Sequence, residues 1–448
     1  MNARQKYFNF RVMLFLVLCI TIGFNPAWAK RAKYVFFFIG DGMAFPQRMA
    51  AEQYLGHKLL MDTFPAQGMT TTRAANRFIT GSAAAATALA SGIKTNIGMI
   101  GITPSGDKVK TIAELAKEQG KKVGIISTVS IDHATPAGFY AHVNKRSQYY
   151  DIETQLAKSG FDFFGGGGFK DPTNKRHNSK NYQGDAREFI KEHGYKIIRD
   201  KQEFLNLAPG VGKVVVINPW LQDEAAEPYT IDQTPKDITL AELTSKAIEL
   251  LNNKKGFFIM VEGGKIDWAC HANDAVTAIK DTIALDNAIK VAYEFYKKHP
   301  KETLIVVTGD HETGGLTLGF AGTKYATYFD ALHNQKLSFR KFTDEFVKKF
   351  QENKELSFDD VKPIITKYFG LKFSGDPADP LRLKPFEEAE LLQAFAMTMK
   401  GHIDKHDPQT YLLYGGYDPL TVTITHLLNN KAGIGWTSYK HTGVPVPT

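Results

Sequence analysis

Five near-continuous apolar runs constrain this chain more than any other feature: "YVFFFI" at 34–39, "KVGIIS" at 122–127, "KVVVIN" at 213–218, "GFFIMV" at 256–261 and "TLIVVT" at 303–308. A strand with one wet face alternates apolar and polar side chains. These runs do not, so each reads as a strand buried on both faces, as in a parallel sheet covered by helices. The stretches between them have helical spacing, which predicts an α/β fold built on one large, mostly parallel central sheet with helices on both faces. From about 319 to 425 the strand rhythm stops, and "FRKFTDEFVKKFQEN" and "PFEEAELLQAFAMTMKG" space their apolar residues helically. That segment is expected to be a mainly helical insertion in a single domain spanning 30–448. The "GGGG" at 165–168 lacks the Lys-Ser/Thr ending of a phosphate loop and reads as a flexible turn.

In such sheets ligands bind outside the carboxyl ends of the strands, so the residues just past each run carry the functional signal. After the first comes Asp41 in "GDG", and after the second Asp132, His133 and Thr135 in "IDHATP". The fourth leads into "EGGKIDWACH" with Glu262, Asp267 and His271, and the fifth into "GDHETGG" with Asp310 and His311. Any one such end means little, because acids and glycines are common in loops. Four of five ends delivering acids, three of them with histidine, point to one shared site.

Asp267 and His271 lie four apart, which on a helix stacks them within reach of one ion, although a surface contact has the same spacing. Asp310 beside His311 reads as a ligand pair or as a helix cap next to a solvated imidazole. Asp41 between two glycines suits close approach, and a tight turn would look alike. Mixed histidine and carboxylate donors suit zinc, whereas an all-oxygen set such as Asp41, Thr135 and Glu262 suits magnesium; the inventory permits both.

Ser82, in "ITGSAAAATALASGIKT", has no histidine or acid beside it in sequence. As a nucleophile it would need a metal to lower its pKa. The alanines after it favour a helix beginning at Ser82, where free N–H groups attract an anion; a serine merely capping a core helix fits the same residues. Arg146, in "HVNKRSQYY", comes after the Thr135 loop and offers a two-pronged partner for phosphate.

Residues 1–29 read as a secretory signal peptide: Arg4, Lys6 and Arg11, then the apolar "VMLFLVLCITIGF", then "PAWA" ending at Ala29. The expectation is an exported protein, in a bacterial periplasm with no stable membrane association after cleavage, although a released or membrane-tethered protein has the same leader pattern. Without this segment Cys270 is the only cysteine, so no internal disulfide is available. The net charge falls from +8 to +5, without the basic tract of a nucleic-acid binder.

Taken in order, "GDGM", "TGSAAAATALASGIKT", "DHATPAGFYAHVNKR", "VEGGKIDWACH", "VVTGDHETGG" and "IGWTSYKHTGVPVP" resemble the motifs of the alkaline phosphatases, from about residue 33 to the end. The resemblance implies a phosphate monoester hydrolase with two zinc ions and one magnesium, acting as a homodimer on small-molecule substrates. It implies that Asp310 and His311 ligate the zinc that binds the nucleophile, with Asp41 bridging to magnesium. Asp267, His271 and His441 would hold the second zinc, and Thr135 and Glu262 would complete the magnesium set. Ser82 would be phosphorylated and Arg146 would hold the phosphate. His441 is selected by the motif "HTG" alone, among thirteen histidines.

The chain departs from the family pattern in three places. Gly81 replaces a common aspartate before the serine, which predicts a more mobile Arg146 and weaker phosphate retention. His133 and Trp268 occupy variable positions near the magnesium site, where a histidine can recruit a softer ion. The sequence stops seven residues after His441, where relatives usually continue through another strand and helix. The alternatives are a phosphodiesterase with a similar metal core and a non-catalytic protein that binds phosphate or metal.

Overall fold

The computed structural model describes residues 32–176, 178–401, 404 and 406–448. The segment read as a signal peptide lies outside them. Strands β1 (Tyr34–Gly40), β2 (Lys122–Ser127), β3 (Phe163–Gly166), β4 (Tyr195–Ile198), β5 (Lys213–Ile217), β6 (Phe257–Gly263) and β7 (Thr303–Gly309) form one seven-stranded sheet in the order β4-β5-β3-β2-β6-β1-β7. All neighbouring strands run parallel. In β1, Phe36 and Phe38 enter one apolar core while Ile39, with Val35 and Phe37 packed beside it, serves the other. Two cores, one on each face, explain why the strand runs do not alternate.

Strands β3 and β4 are not legible in the sequence. β3 has four residues, two of them glycine, and β4 is an edge strand with Lys196 exposed. The glycine run is therefore not a flexible turn. Gly165 and Gly166 complete β3, and a Cβ at Gly166, where φ is +144°, would lie 1.9 Å from the carbonyl oxygen of Ser127. A Cβ at Gly167 would lie 2.4 Å from that of Ala225. Only glycine lets these backbones pass so closely.

Five helices matter for the site: α1 (Phe45–Leu55), α2 (Ser82–Ser91), α3 (Ala134–Ala137), α4 (Lys265–His271) and α5 (Ala275–Lys298). α5 covers one face of the sheet through Leu285, Ile289 and Ala292, and α2 covers the other through Ala83 and Ala90. The small side chains of α2 permit close approach, since a Cβ at Gly138 would come within 2.8 Å of that of Ala86.

Between 319 and 432 the described residues contain no strand. They hold α6 (Phe358–Phe369), α7 (Pro385–Met399) and α8 (Pro419–Ala432), with shorter helical turns. Ile365, Leu391, Leu420 and Leu428 join the core that α5 lines, so this segment shares that core. Near the end of the chain, Val446–Pro447 pairs antiparallel with Met69–Thr70. Among the described residues no helix is long and apolar enough to cross a membrane.

Candidate active site

Four adjacent strands, β2, β6, β1 and β7, bring the sequence-predicted residues to one edge. Asp41 comes directly after β1, and the next residue must be glycine: Gly42 has φ +72°, and a Cβ there would lie 2.9 Å from both the Asp267 Cα and the Thr313 hydroxyl. β2 leads through a short loop to His133 and to α3, which carries Thr135. Glu262 sits near the end of β6, and α4 comes next with Asp267, Trp268 and His271. Asp310 and His311 come directly after β7. His441 arrives by strand pairing: β8 (Glu312–Thr313) and β9 (His441–Thr442) are antiparallel, with His441 opposite Thr313. Sequence spacing holds no trace of that pairing.

The buried Nε2 of His311 lies 3.3 Å from Asp41 Oδ1, 3.4 Å from Asp310 Oδ2 and 3.3 Å from Ser82 Oγ. Neither carboxylate oxygen accepts a hydrogen bond. The other Asp310 oxygen accepts from the backbone N–H groups of Gly42 and His311, at 3.1 and 2.8 Å, which aims Oδ2 inward. Ser82 is the first residue of α2, buried and preceded by Gly81 as cap.

Beside this set, Nε2 of His271 stands 3.1 Å from Nε2 of His441 and 3.4 Å from Asp267 Oδ1, and His441 Nε2 stands 3.6 Å from the same oxygen. The two Nδ1 atoms contact the carbonyl oxygens of Tyr439 at 2.6 Å and Thr80 at 2.9 Å. Donation from Nδ1–H to a carbonyl leaves Nε2 as a bare lone pair, the state a metal ligand needs. The His311 and His441 rings stack at 3.7 Å, so the two sets adjoin, and donors of Asp267, His311 and His441 also lie within 4.8 Å of one another.

A third group joins Asp41, His133 and Glu262, whose donors again lie within 4.8 Å. Thr135 donates to Asp41 Oδ2 at 3.4 Å, and Glu262 accepts from Ser127 through one oxygen while the other has no partner. His133 meets Arg146 Nη2 through Nε2 at 2.7 Å and leaves Nδ1 buried and unpartnered. Trp268 packs edge-on against His133, with centroids 5.7 Å apart, and so acts on this group through that ring.

The electrostatics match the geometry. Burial, then the neighbouring Asp310, Asp267 and Glu262 charges, push Asp41 well above the usual carboxylate range; burial and Asp267 do the same to Asp310. Burial also pushes Glu262 up to about 7 and holds His311 and His133 well below the usual histidine value. Asp267 is held low against its burial by His271, His441 and His311. Buried carboxylates that repel one another, beside neutral imidazoles with free lone pairs, form a donor set that bound cations would satisfy.

The alkaline phosphatase family model matches residues 32–448. The chain belongs to the alkaline phosphatase family. It is 34% identical over 377 residues to alkaline phosphatase 4 of Bacillus subtilis, covering 82% of this chain and 70% of that protein. It is 33% identical over 333 residues to the alkaline phosphatase of Escherichia coli, covering 63% and 70%. Among solved structures it resembles a cold-active alkaline phosphatase from Shewanella, with a TM-score of 0.74, 28% identity and 92% of each chain covered. The alkaline phosphatase of the Antarctic bacterium TAB5 is 33% identical, with a TM-score of 0.59 over 65% of this chain and 82% of that one. Two TAB5 variants, with aspartate or glutamate replacing a histidine, are described with Mg bound in the M3 site.

The sequence reading expects Arg146 to be more mobile for want of an aspartate at position 81. In the structure Arg146 Nη2 lies 2.7 Å from His133 Nε2, and a Cβ at Gly81 would meet the His441 ring at 3.8 Å. The sequence reading also misses Thr313, which donates to Asp267 Oδ1 at 2.6 Å and contacts His311 Nδ1 at 3.3 Å. Its position two residues after His311 was the available signal. Ser127, at the end of β2, is the other missed residue, and nothing in "KVGIIS" singles it out.

Proposed function

We propose that the protein hydrolyses phosphate monoesters through a phosphoserine formed on Ser82. The observation that carries this reading is the convergence of Ser82 Oγ and the unpartnered oxygens of Asp41 and Asp310 on Nε2 of His311. Membership of a family whose relatives are named alkaline phosphatases supports it. The donor chemistry fits zinc at Asp41, Asp310, His311 and Ser82, a second zinc at Asp267, His271 and His441, and magnesium at Asp41, Thr135 and Glu262. Bound there, such ions lower the pKa of a serine hydroxyl and of water and offset charge on phosphoryl oxygens.

Ser82, its hydroxyl proton passing to solvent, attacks phosphorus in line and forms the Oγ–P bond as the bond to the alcohol oxygen breaks, so the leaving oxygen lies opposite Ser82, on the side of Asp267, His271 and His441, and takes its proton from water. Arg146 donates both arms of its guanidinium to non-bridging oxygens, oriented by its bond to His133. The first N–H groups of α2 add a positive field at the phosphoryl group. Water entering from the vacated side then takes the phosphoryl group from Ser82.

His133 can put nitrogen into an otherwise oxygen group, a softer donor than magnesium takes, but a neutral ring has one lone pair, so ligation would replace its contact with Arg146. The acid-bearing TAB5 variants described with Mg agree with that preference. His133→Asp is accordingly expected to raise bound magnesium, counted by elemental mass spectrometry. A homodimer fits the exposed apolar side chains of Phe45, Met49 and Met69, and export fits the leader pattern of residues 1–29.

The test is hydrolysis of a chromogenic phosphate monoester with metals counted on the same sample. About two zinc ions per chain, with turnover lost on chelation and restored by zinc, is the expected result. Full metal occupancy without turnover of the monoester would overturn the reading.

A further inference from the structure

A cavity of about 450 Å³ opens beside His271, between α4 and the helical segment after β7. That volume suits a nucleoside better than a small polyol. Trp268 lines it from α4, and Phe339 and Tyr417 line it from the helical segment, their rings meeting edge to face at 5.6 Å. The cations in its wall are already paired. Lys170 Nζ lies 2.7 Å from Glu224, and Arg340 lies 3.5 Å from Asp223 and 2.8 Å from Asp344. Asp418 accepts from the hydroxyls of Thr398 and Thr421 at 2.7 and 2.8 Å. The wall thus offers aromatic surface and hydrogen-bonding groups, with no cation free to hold a second anion.

We propose that this cavity is a leaving-group subsite that selects phosphate monoesters of nucleosides, whose planar bases can stack, over esters of small polyols. The inference rests on the phosphomonoesterase reading, because in-line attack by Ser82 directs the alcohol toward His271 and hence toward this cavity. Trp268 and Tyr417, both part-exposed, supply aromatic surface that a polyol cannot stack on, and the buried Phe339 backs Tyr417 edge to face.

The metal-loaded protein and its Thr343→Trp and Phe339→Leu variants test this. Thr343 lines the cavity and is partly exposed, so tryptophan there fills the space without entering the core. Adenosine binding is measured by calorimetry, and kcat/KM for adenosine 5′-monophosphate and for glycerol 3-phosphate. The expected result is adenosine binding to the parent protein that weakens about tenfold in both variants, with a parallel loss in kcat/KM for the nucleotide only. Turnover of both esters with an unchanged ratio, or no adenosine binding, overturns the subsite and leaves the phosphomonoesterase reading standing. No turnover of either ester overturns that reading, and the leaving-group role with it.

Discussion

At the carboxyl ends of β2, β6, β1 and β7, buried polar atoms lack partners: Asp41 Oδ1, Asp310 Oδ2, Glu262 Oε1 and His133 Nδ1 make no hydrogen bond. At the ends of β4, β5 and β3, in the same sheet, the first polar groups are satisfied, and the exception, Glu227 further along the loop after β5, keeps both carboxylate oxygens buried and unpartnered. Asn218, after β5, donates to Asp237 at 2.9 Å and accepts from Ile238 N at 2.7 Å, and Asp200, after β4, caps the next helix at 2.8 Å. β3 ends in glycines packed against backbone. Leaving a buried polar atom unpaired costs about 1–3 kcal/mol, so a fold keeps several together where something else completes them. One stretch of the edge is scaffold, and the other is a site.

The sharpest way to break this comparison is within the site. Ser82→Ala is expected to lower turnover at least about a thousandfold, even with zinc in excess, while leaving the melting temperature near the parent value. On the scaffold side the effects invert. Gly166→Ala places a methyl group 1.9 Å from the Ser127 oxygen and is expected to destabilise by about 3 kcal/mol or more in denaturant unfolding. Asn218→Ala strands its buried partners and is expected to cost about 2 kcal/mol, with kcat/KM and metal content unchanged.

The smallest effect concerns a histidine with a satisfied partner. His426 contacts Asn273 Oδ1 at 3.1 Å, and burial lowers its pKa to about 4. The unfolded chain takes up that proton near pH 6.5, so the stability contributed by neutral His426 is lost as pH falls from about 6.5 to 4. Melting curves across that window are expected to flatten in His426→Asn.

The sheet was legible wherever a strand carries an unbroken apolar run, which has few other readings; this includes the edge strand β7, which is not buried on both faces as expected, since Leu304 is exposed. β3 failed that reading because its glycines are dictated by backbone approach from Ser127 and Ala225, contacts distant in sequence. Asp41, Asp267, His271, Asp310 and His311 stood out at strand ends or at helical spacing. His441 did not, since a two-residue pairing with Thr313 brings it in, and only the family motif selected it. The bond from His133 to Arg146 was likewise invisible: the two lie thirteen residues apart, and the turn through α3 joins them.

The central claim is that the unpaired stretch of the edge turns Ser82 into a phosphoryl acceptor. Mass spectrometry of the metal-loaded protein, quenched in acid while turning over a phosphate monoester, tests it most directly. One phosphoryl group on the peptide containing Ser82, absent from Ser82→Ala, is the predicted result. Steady turnover with an unmodified Ser82 peptide, or with the label on another residue, would contradict the account.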